Sequence, residues 1–396
     1  MRITSAEIYD ARPQDNKQGL NLVLLRLWTD EGIYGLGEVA LAYGTGSAAG
    51  LAMLKQLVER FVIGADPFRI EEIWFAQFRR TFWALGGGPV VYGGMSAIDE
   101  ALWDIKGKAL GVPVYELMGG LVNERLRLYA NGWSNIEGPD GRPLICTPDE
   151  YGRAVQQVIS DGYDALKFDP FYINADRRRW TPTPVLSKEM MDLAEGRVAA
   201  VREAVGPDVD ICVEVHGVLA VQTAIEMGRR LAPYRPFFYE EPVHALNVDA
   251  MRKVSQNVPL PIAAGERLYT RYGFRQYIEK QVLDILQPDI GLAGGLTETK
   301  KIADYAETYD MHIQPHLCAG PVHTAACIQL DACLTNFIIQ EWRPYAGDSV
   351  LELVDEPLDD KAVNGYLAVP DRPGLGVVLN EEAVRGYDCI RIGPAT

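Results

Sequence analysis

Hydrophobic and polar positions follow two different rhythms along this chain. Asn21–Trp28 reads as a strand, Asp30-Glu31-Gly32 as a turn and Ile33–Gly37 as the returning strand, which together predict a hairpin. Helix-length stretches follow. The clearest begins near Ser96, with Ile98, Ala101, Leu102, Ile105 and Ala109 on one stripe at i, i+3, i+4 spacing. Gly111 stands where a C-terminal cap is expected, and Pro113 forbids continuation. A hairpin followed by helices predicts an α+β module over residues 1–125.

From Leu126 the rhythm changes to short apolar runs separated by helix-length segments. The candidate strands are Leu126–Ala130, Ala165–Phe168, Ile211–Val215, Phe237–Tyr239, Ile262–Ala264, Ile285–Gln287, His312–Gln314 and Phe337–Gln340. Most of the later steps are about 23–27 residues, the length of a strand, a crossover helix and two short loops. Eight strands at this period predict an α/β fold with a closed parallel barrel over residues 126–362. A doubly wound open sheet is the weaker alternative, because polar residues recur at the C-terminal end of nearly every strand and a barrel gathers those on one face. Residues 363–396 carry Gly365-Tyr366, Pro370, Pro373-Gly374-Leu375-Gly376 and Val377–Leu379. They read as turns and one short strand packing back on the first module.

Composition narrows the function. The formal charge is −16, which argues against a nucleic-acid partner, since such partners need a basic footprint. Hydrophobic residues make up 48% and charged residues 23%, a globular balance. No apolar run approaches the roughly 20 residues that span a bilayer, and MRITSAEIYD has no secretory apolar core, so a cytoplasmic protein is expected. Cys146, Cys212, Cys318, Cys327, Cys333 and Cys389 include no C-x-x-C pair, which excludes zinc-ribbon and thioredoxin-like readings and predicts reduced, mostly buried thiols.

The strand ends carry the chemistry. Glu214, Glu240 and Glu266 stand 26 residues apart, each at the end of a candidate strand. Consecutive barrel strands would aim all three into one mouth, where unpaired carboxylates repel unless a divalent cation joins them; hard oxygen ligands suit Mg²⁺. Asp289 and His316 end the next two strands, placing a carboxylate beside an imidazole that it can orient. His216 follows Glu214 by two residues and shares its side of the strand, as Asp169 does with Lys167. Glu341 adds a carboxyl from the last strand. His244, His312 and His323 read as structural. Gly291-Leu292-Ala293-Gly294-Gly295, before a helix at Thr297–Tyr309, reads as an ordinary barrel turn, because its spacing does not match a dinucleotide fingerprint.

These residues resemble the enolase superfamily, and within it the mandelate racemase and muconate lactonizing enzyme group. The first module carries Ala97-Ile98-Asp99, Ala101-Leu102-Trp103-Asp104, Gly107-Lys108, Gly111, Pro113 and Leu117-Met118-Gly119-Gly120, which is similar to that group's signature helix. The resemblance implies a modified (β/α)7β barrel under a capping domain built from the N-terminal segment and the tail. It implies Mg²⁺ on Glu214, Glu240 and Glu266, and a base that removes the proton alpha to a carboxylate. Glu341 matches the position that hydrogen-bonds the substrate carboxylate, for which it would have to be protonated. Where racemases of the group carry Lys-x-Lys, this chain has Lys167-Phe168-Asp169, which disfavours inversion at C2. His216 resembles the acid that protonates a departing 3-hydroxyl in the group's sugar-acid dehydratases. The expectation is therefore dehydration of a galactonate- or gluconate-like aldonate, with His316 as base, Asp289 its partner and His216 the acid. The competing readings are a cycloisomerase or epimerase using the same enolate, and a non-catalytic binding barrel. Asp15 and Asn16 in the loop 14–18, Tyr43 in the loop 42–46, and Trp342 with Arg343 are the expected substrate contacts. The family also suggests a homo-oligomer, dimer or octamer, without membrane partners.

Overall fold

The computed structural model describes residues 1–13, 19–138, 140–179, 183–345 and 348–393. β1 (Ile3–Ala11), β2 (Leu22–Thr29) and β3 (Tyr34–Val39) form an antiparallel sheet in that order. The β2–β3 hairpin lies within a residue or two of its predicted place, and Gly32 takes the turn's left-handed position at φ 77°. β1 has no counterpart among the predicted strands.

The helix Pro89–Leu110 packs on β3 at glycine. A side chain at Gly37 would put its Cβ 1.9 Å from the Ala97 carbonyl oxygen, and one at Gly35 would lie 2.0 Å from that of Ala101. Gly35 and Gly37 therefore let backbone meet backbone. The helix starts well before Ser96, because Gly93 and Gly94 interrupt the apolar stripe at a crowded place: a Cβ on Gly94 would come 2.9 Å from Leu57 Cδ1. It ends at Gly111 with φ 69°, the expected left-handed cap.

The second sheet comprises β4 (Arg125–Ala130), β5 (Ala165–Phe168), β6 (Asp210–Glu214), β7 (Phe238–Glu240), β8 (Ile262–Ala264), β9 (Ile285–Leu286), β10 (His312–Ile313) and β11 (Gln340–Trp342). Every pairing along it is parallel, with β11 beside β4. The ring closes where Ile313 N–H donates to the Asn336 carbonyl (2.9 Å) and Ile338 N–H donates to that of Ile313 (3.1 Å). Helices 148–160, 188–205, 221–231, 248–255, 270–279, 295–307 and 321–333 fill the seven crossovers, which gives the (β/α)7β barrel. Tyr129, Ala165, Cys212, Phe238, Ala263, Ile285 and Ile339 form one buried cluster drawn from successive strands. They fill the barrel, so that polar side chains have room only at its C-terminal mouth.

The tail holds two strands, neither at Val377–Leu379. β12 (Tyr366–Ala368) pairs antiparallel with β4, and β13 (Asp388–Ile392) pairs antiparallel with β1; Leu379 makes only an isolated bridge to Val354. The segment 291–295, expected as a plain turn, is the end of a short helix (Ile290–Ala293) joined at Gly294 to the helix Gly295–Glu307, and it is a docking point for the cap. Trp74 Nε1–H donates to the Gly294 carbonyl (2.8 Å), Gly294 N–H to Ser96 Oγ (3.0 Å) and Thr297 N–H to Asp99 Oδ2 (2.9 Å). All six cysteines are free thiols, four of them buried. No helix among the described residues is long and apolar enough to cross a membrane.

Candidate active site

The mouth of the barrel opens on a cavity of about 670 Å³, lined by Lys167, Asp169, Glu214, His216, Glu266, Asp289, His316 and Glu341 together with Tyr43 from the cap. This is the size of a small-molecule site. Each of the barrel residues sits at or just beyond a strand end, so the strands aim them at one point.

Two carboxylate–histidine pairs face this cavity. Asp289 Oδ2 lies 2.7 Å from His316 Nδ1, and Asp169 Oδ2 lies 2.7 Å from His216 Nδ1. The second pair explains the departure from Lys-x-Lys. Asp169 Oδ1 accepts the Phe171 and Tyr172 N–H groups at 2.6 and 3.1 Å, which fixes the carboxylate against the imidazole. His216 has a left-handed backbone (φ 56°), an uncommon conformation for a non-glycine residue at a strand end. Glu214 Oε1 holds that turn by accepting the Val215 and His216 N–H groups. Burial lowers the pKa of the His216 imidazole, but Glu214 and Asp169 outweigh it and push the group up to about 10.

The acids are arranged around a lysine. Lys167 Nζ lies 2.9 Å from Glu240 Oε1, 3.2 Å from Glu341 Oε1 and 3.7 Å from Glu214 Oε2. Burial drives Glu240 well above the usual carboxylate range, and Glu214 pushes the same way. Glu214 Oε2 is buried without a hydrogen-bond partner. Glu266 turns instead to His316 Nε2 (3.0 Å) and to Arg267, which also pairs with buried Glu241. Despite burial, His316 and Arg267 hold Glu266 well below its ordinary range. Among the described residues no three His, Cys, Asp or Glu side chains are already drawn in around one cation. The donor set nevertheless fits one: an orphaned oxygen on Glu214 and a Glu240 carboxyl made costly by burial and by Glu214 are what a hard divalent cation relieves.

Glu341 departs from expectation. Burial would raise its pKa, but Lys167, His316, the Leu317 N–H and Asn131 together hold it below the ordinary value, which works against the protonated form. Asn131 Nδ2 donates to it at 2.6 Å. Trp342 is also corrected. Alternation along β11 turns it from the mouth into the apolar core at 1% exposure, whereas Arg343, expected beside it, does line the cavity. Asp15 and Asn16 lie outside the described residues. Asn131, Glu241 and Arg267 escaped the sequence reading, although each stands beside a strand end or beside an acid already identified there.

Residues 13–119 match the family model described as mandelate racemase / muconate lactonizing enzyme, N-terminal domain, and residues 150–383 match the one described as enolase C-terminal domain-like. A D-galactonate dehydratase of Xanthomonas oryzae pv. oryzae is 35% identical over 389 residues, covering 97% of this chain and 94% of that protein. Among solved structures, a Salmonella enterica serovar Typhimurium protein provisionally assigned as a dehydratase is 45% identical, with TM-score 0.93, over 98% of this chain and 99% of that one. An enolase-superfamily member from Salmonella Typhimurium is 39% identical, with TM-score 0.93, over 99% of each chain.

Proposed function

Since this chain belongs to the mandelate racemase/muconate lactonizing enzyme group of the enolase superfamily, we propose that it is a hydro-lyase that dehydrates a sugar acid. The substrate class is an aldonate such as galactonate or gluconate, and the product is the 2-keto-3-deoxy acid. One observation carries this reading: two Asp–His pairs, each closed at 2.7 Å, face one cavity.

His316 removes the C2 proton, and Asp289 stabilises the imidazolium that results. Nε2 can take a proton only when Glu266 turns from it, and Glu266 is one of the three acids, with Glu214 and Glu240, proposed to hold Mg²⁺. Bound there, the cation supplies the fixed positive charge that a carboxylate needs as its alpha proton leaves. His216, whose charged form Glu214 and Asp169 favour, gives its proton to the 3-hydroxyl, which departs as water. The resulting enol tautomerises to the keto acid. A positioned acid of this kind contributes roughly 10²–10⁴-fold. Inversion at C2 would need a second base on the opposite face, and Asp169, in the position of the missing lysine, is already committed to His216.

The test is incubation with an aldonate library and Mg²⁺, with 2-keto acid assayed and C2 exchange followed in D₂O. Keto acid from at least one aldonate is the expected result. Exchange without keto acid would indicate another enolate reaction, and neither signal would indicate a binding barrel.

A further inference from the structure

His323, which the sequence reading left as structural, is fully buried between the cap and the barrel at 0% exposure. It lies in the first turn of the helix Pro321–Cys333. Its backbone N–H donates to Glu38 Oε2 (3.1 Å), and Gly320 N–H donates to Glu38 Oε1, so a carboxylate of β3 caps this barrel helix. Its ring reaches both ways. Nδ1 lies 3.6 Å from Glu100 Oε1 on the long helix of the cap, and Nε2 lies 3.6 Å from Asp289 Oδ1 and 3.7 Å from Cys327 Sγ one turn along its own helix. Gly291 makes room for it: a Cβ there would stand 3.0 Å from His323 Nδ1 and 2.6 Å from Ala40 Cβ.

The outer oxygen of Asp289 has no hydrogen-bond partner, and neither has Glu100 Oε1 or His323 Nδ1. A buried carboxylate oxygen left unmatched keeps the full cost of its lost hydration, and rotation of the carboxyl is one way to escape that cost. Rotation would break the 2.7 Å contact from Oδ2 to His316. The His323 ring stands 3.6 Å from the outer oxygen and is placed to oppose this, needing a shift of only a few tenths of an ångström to close the bond.

We infer that His323 is a positioning residue for the base: it steadies the outer oxygen of Asp289 so that the inner one stays turned to His316, and it ties that pair to the capping module through Glu100 and Glu38. This rests on the enolate-forming reading above. A barrel whose cap has not seated would lack the third member of the Glu100–His323–Asp289 line, so the base would be set only when the cap is in place.

The test compares His323→Phe, which fills the space without a donor, with His323→Gln, which keeps one. In C2 exchange of an aldonate that the wild type turns over, His323→Phe should lower kcat about 10–100-fold, the range for partners that orient a working histidine, with KM unchanged within about twofold. His323→Gln should recover most of the loss. In an Asp289→Asn background His323→Phe should cost nothing further, because its effect passes through Asp289. Unchanged kcat, or the same loss in the Asp289→Asn background, would overturn the inference. Should His323→Phe not fold, Glu100→Gln carries the test with the same signature, and unaltered kcat there counts against it. Should the wild type exchange no aldonate, the proposed function fails by itself. The inference is then read from the low-field imidazole proton of the His316–Asp289 pair, identified by its disappearance in Asp289→Asn. That resonance must shift in His323→Phe, and an unmoved one refutes the role.

Discussion

Asp169 and Asp289 each hold a different histidine at 2.7 Å, and the proposed mechanism sets the first pair on the side of the departing hydroxyl and the second on the side of the alpha proton. Their loss should therefore have separable effects. Asp169→Asn should lower keto-acid formation about 100-fold while C2 exchange stays within a few-fold of wild type, measured on the same substrate by a keto-acid assay and by NMR in D₂O. The substitution also removes one of the charges that lift His216, so its pKa should fall from about 10 toward the ordinary value, as an NMR titration would show. The acids at the strand ends were legible in the sequence because barrel topology sends every strand end to one mouth. So was the pairing of Asp289 with His316, but the partner of Asp169 was not. Asp169 and His216 lie 47 positions apart on neighbouring strands, and only the turn after each strand decides that they meet. Trp342 was misread for a related reason: within a strand the facing alternates, so the residue after Glu341 belongs to the core and Arg343 to the cavity.

The contact between β3 and the helix Pro89–Leu110 sets how closely the cap can fold on itself. Gly37→Ala would drive a methyl into the Ala97 carbonyl, so the two elements would have to separate. The expected loss is about 1–3 kcal/mol, read as a lower midpoint in denaturant unfolding with the slope unchanged. Periodicity located the hairpin and most barrel strands to within a residue or two, because those segments bury a regular face. It missed β1, whose segment ITSAEIYDA interleaves polar with apolar residues and has little contrast of its own. It gave the tail one short strand without a position, and the structure has two: apolar Val377 and Leu379 pack as an irregular segment, whereas the half-exposed Asp388–Ile392 finds a partner in β1. Sequence patterns report burial better than they report pairing.

At the scale of the molecule, the cap is joined to the barrel by buried carboxylates. Burial pushes Asp99 up to about 7, against hydrogen bonds from Thr297, and pushes Glu38 up to about 7, against His323 and the Gly320 N–H. Each retains a proton when folded that it loses near pH 4 when unfolded. Their contribution is therefore greatest below about pH 4 and is lost as pH rises through about 7. Unfolding free energy measured between pH 5 and 7 should decline with pH more steeply in the wild type than in Asp99→Asn. The difference in slope should not exceed about 1.4 kcal/mol per pH unit, the value for one proton.

The pairing of β13 with β1 brings the far ends of the described chain side by side in one sheet. On the ribosome, the N-terminal strands must wait through synthesis of the entire barrel before their last neighbour emerges, so the lid is the final part to be hemmed. A chain lacking residues 388–396 would keep its barrel but leave β1 with a bare row of amide and carbonyl groups, open to recruitment by other chains. Light scattering of that truncated chain should reveal clumping that the intact protein does not show.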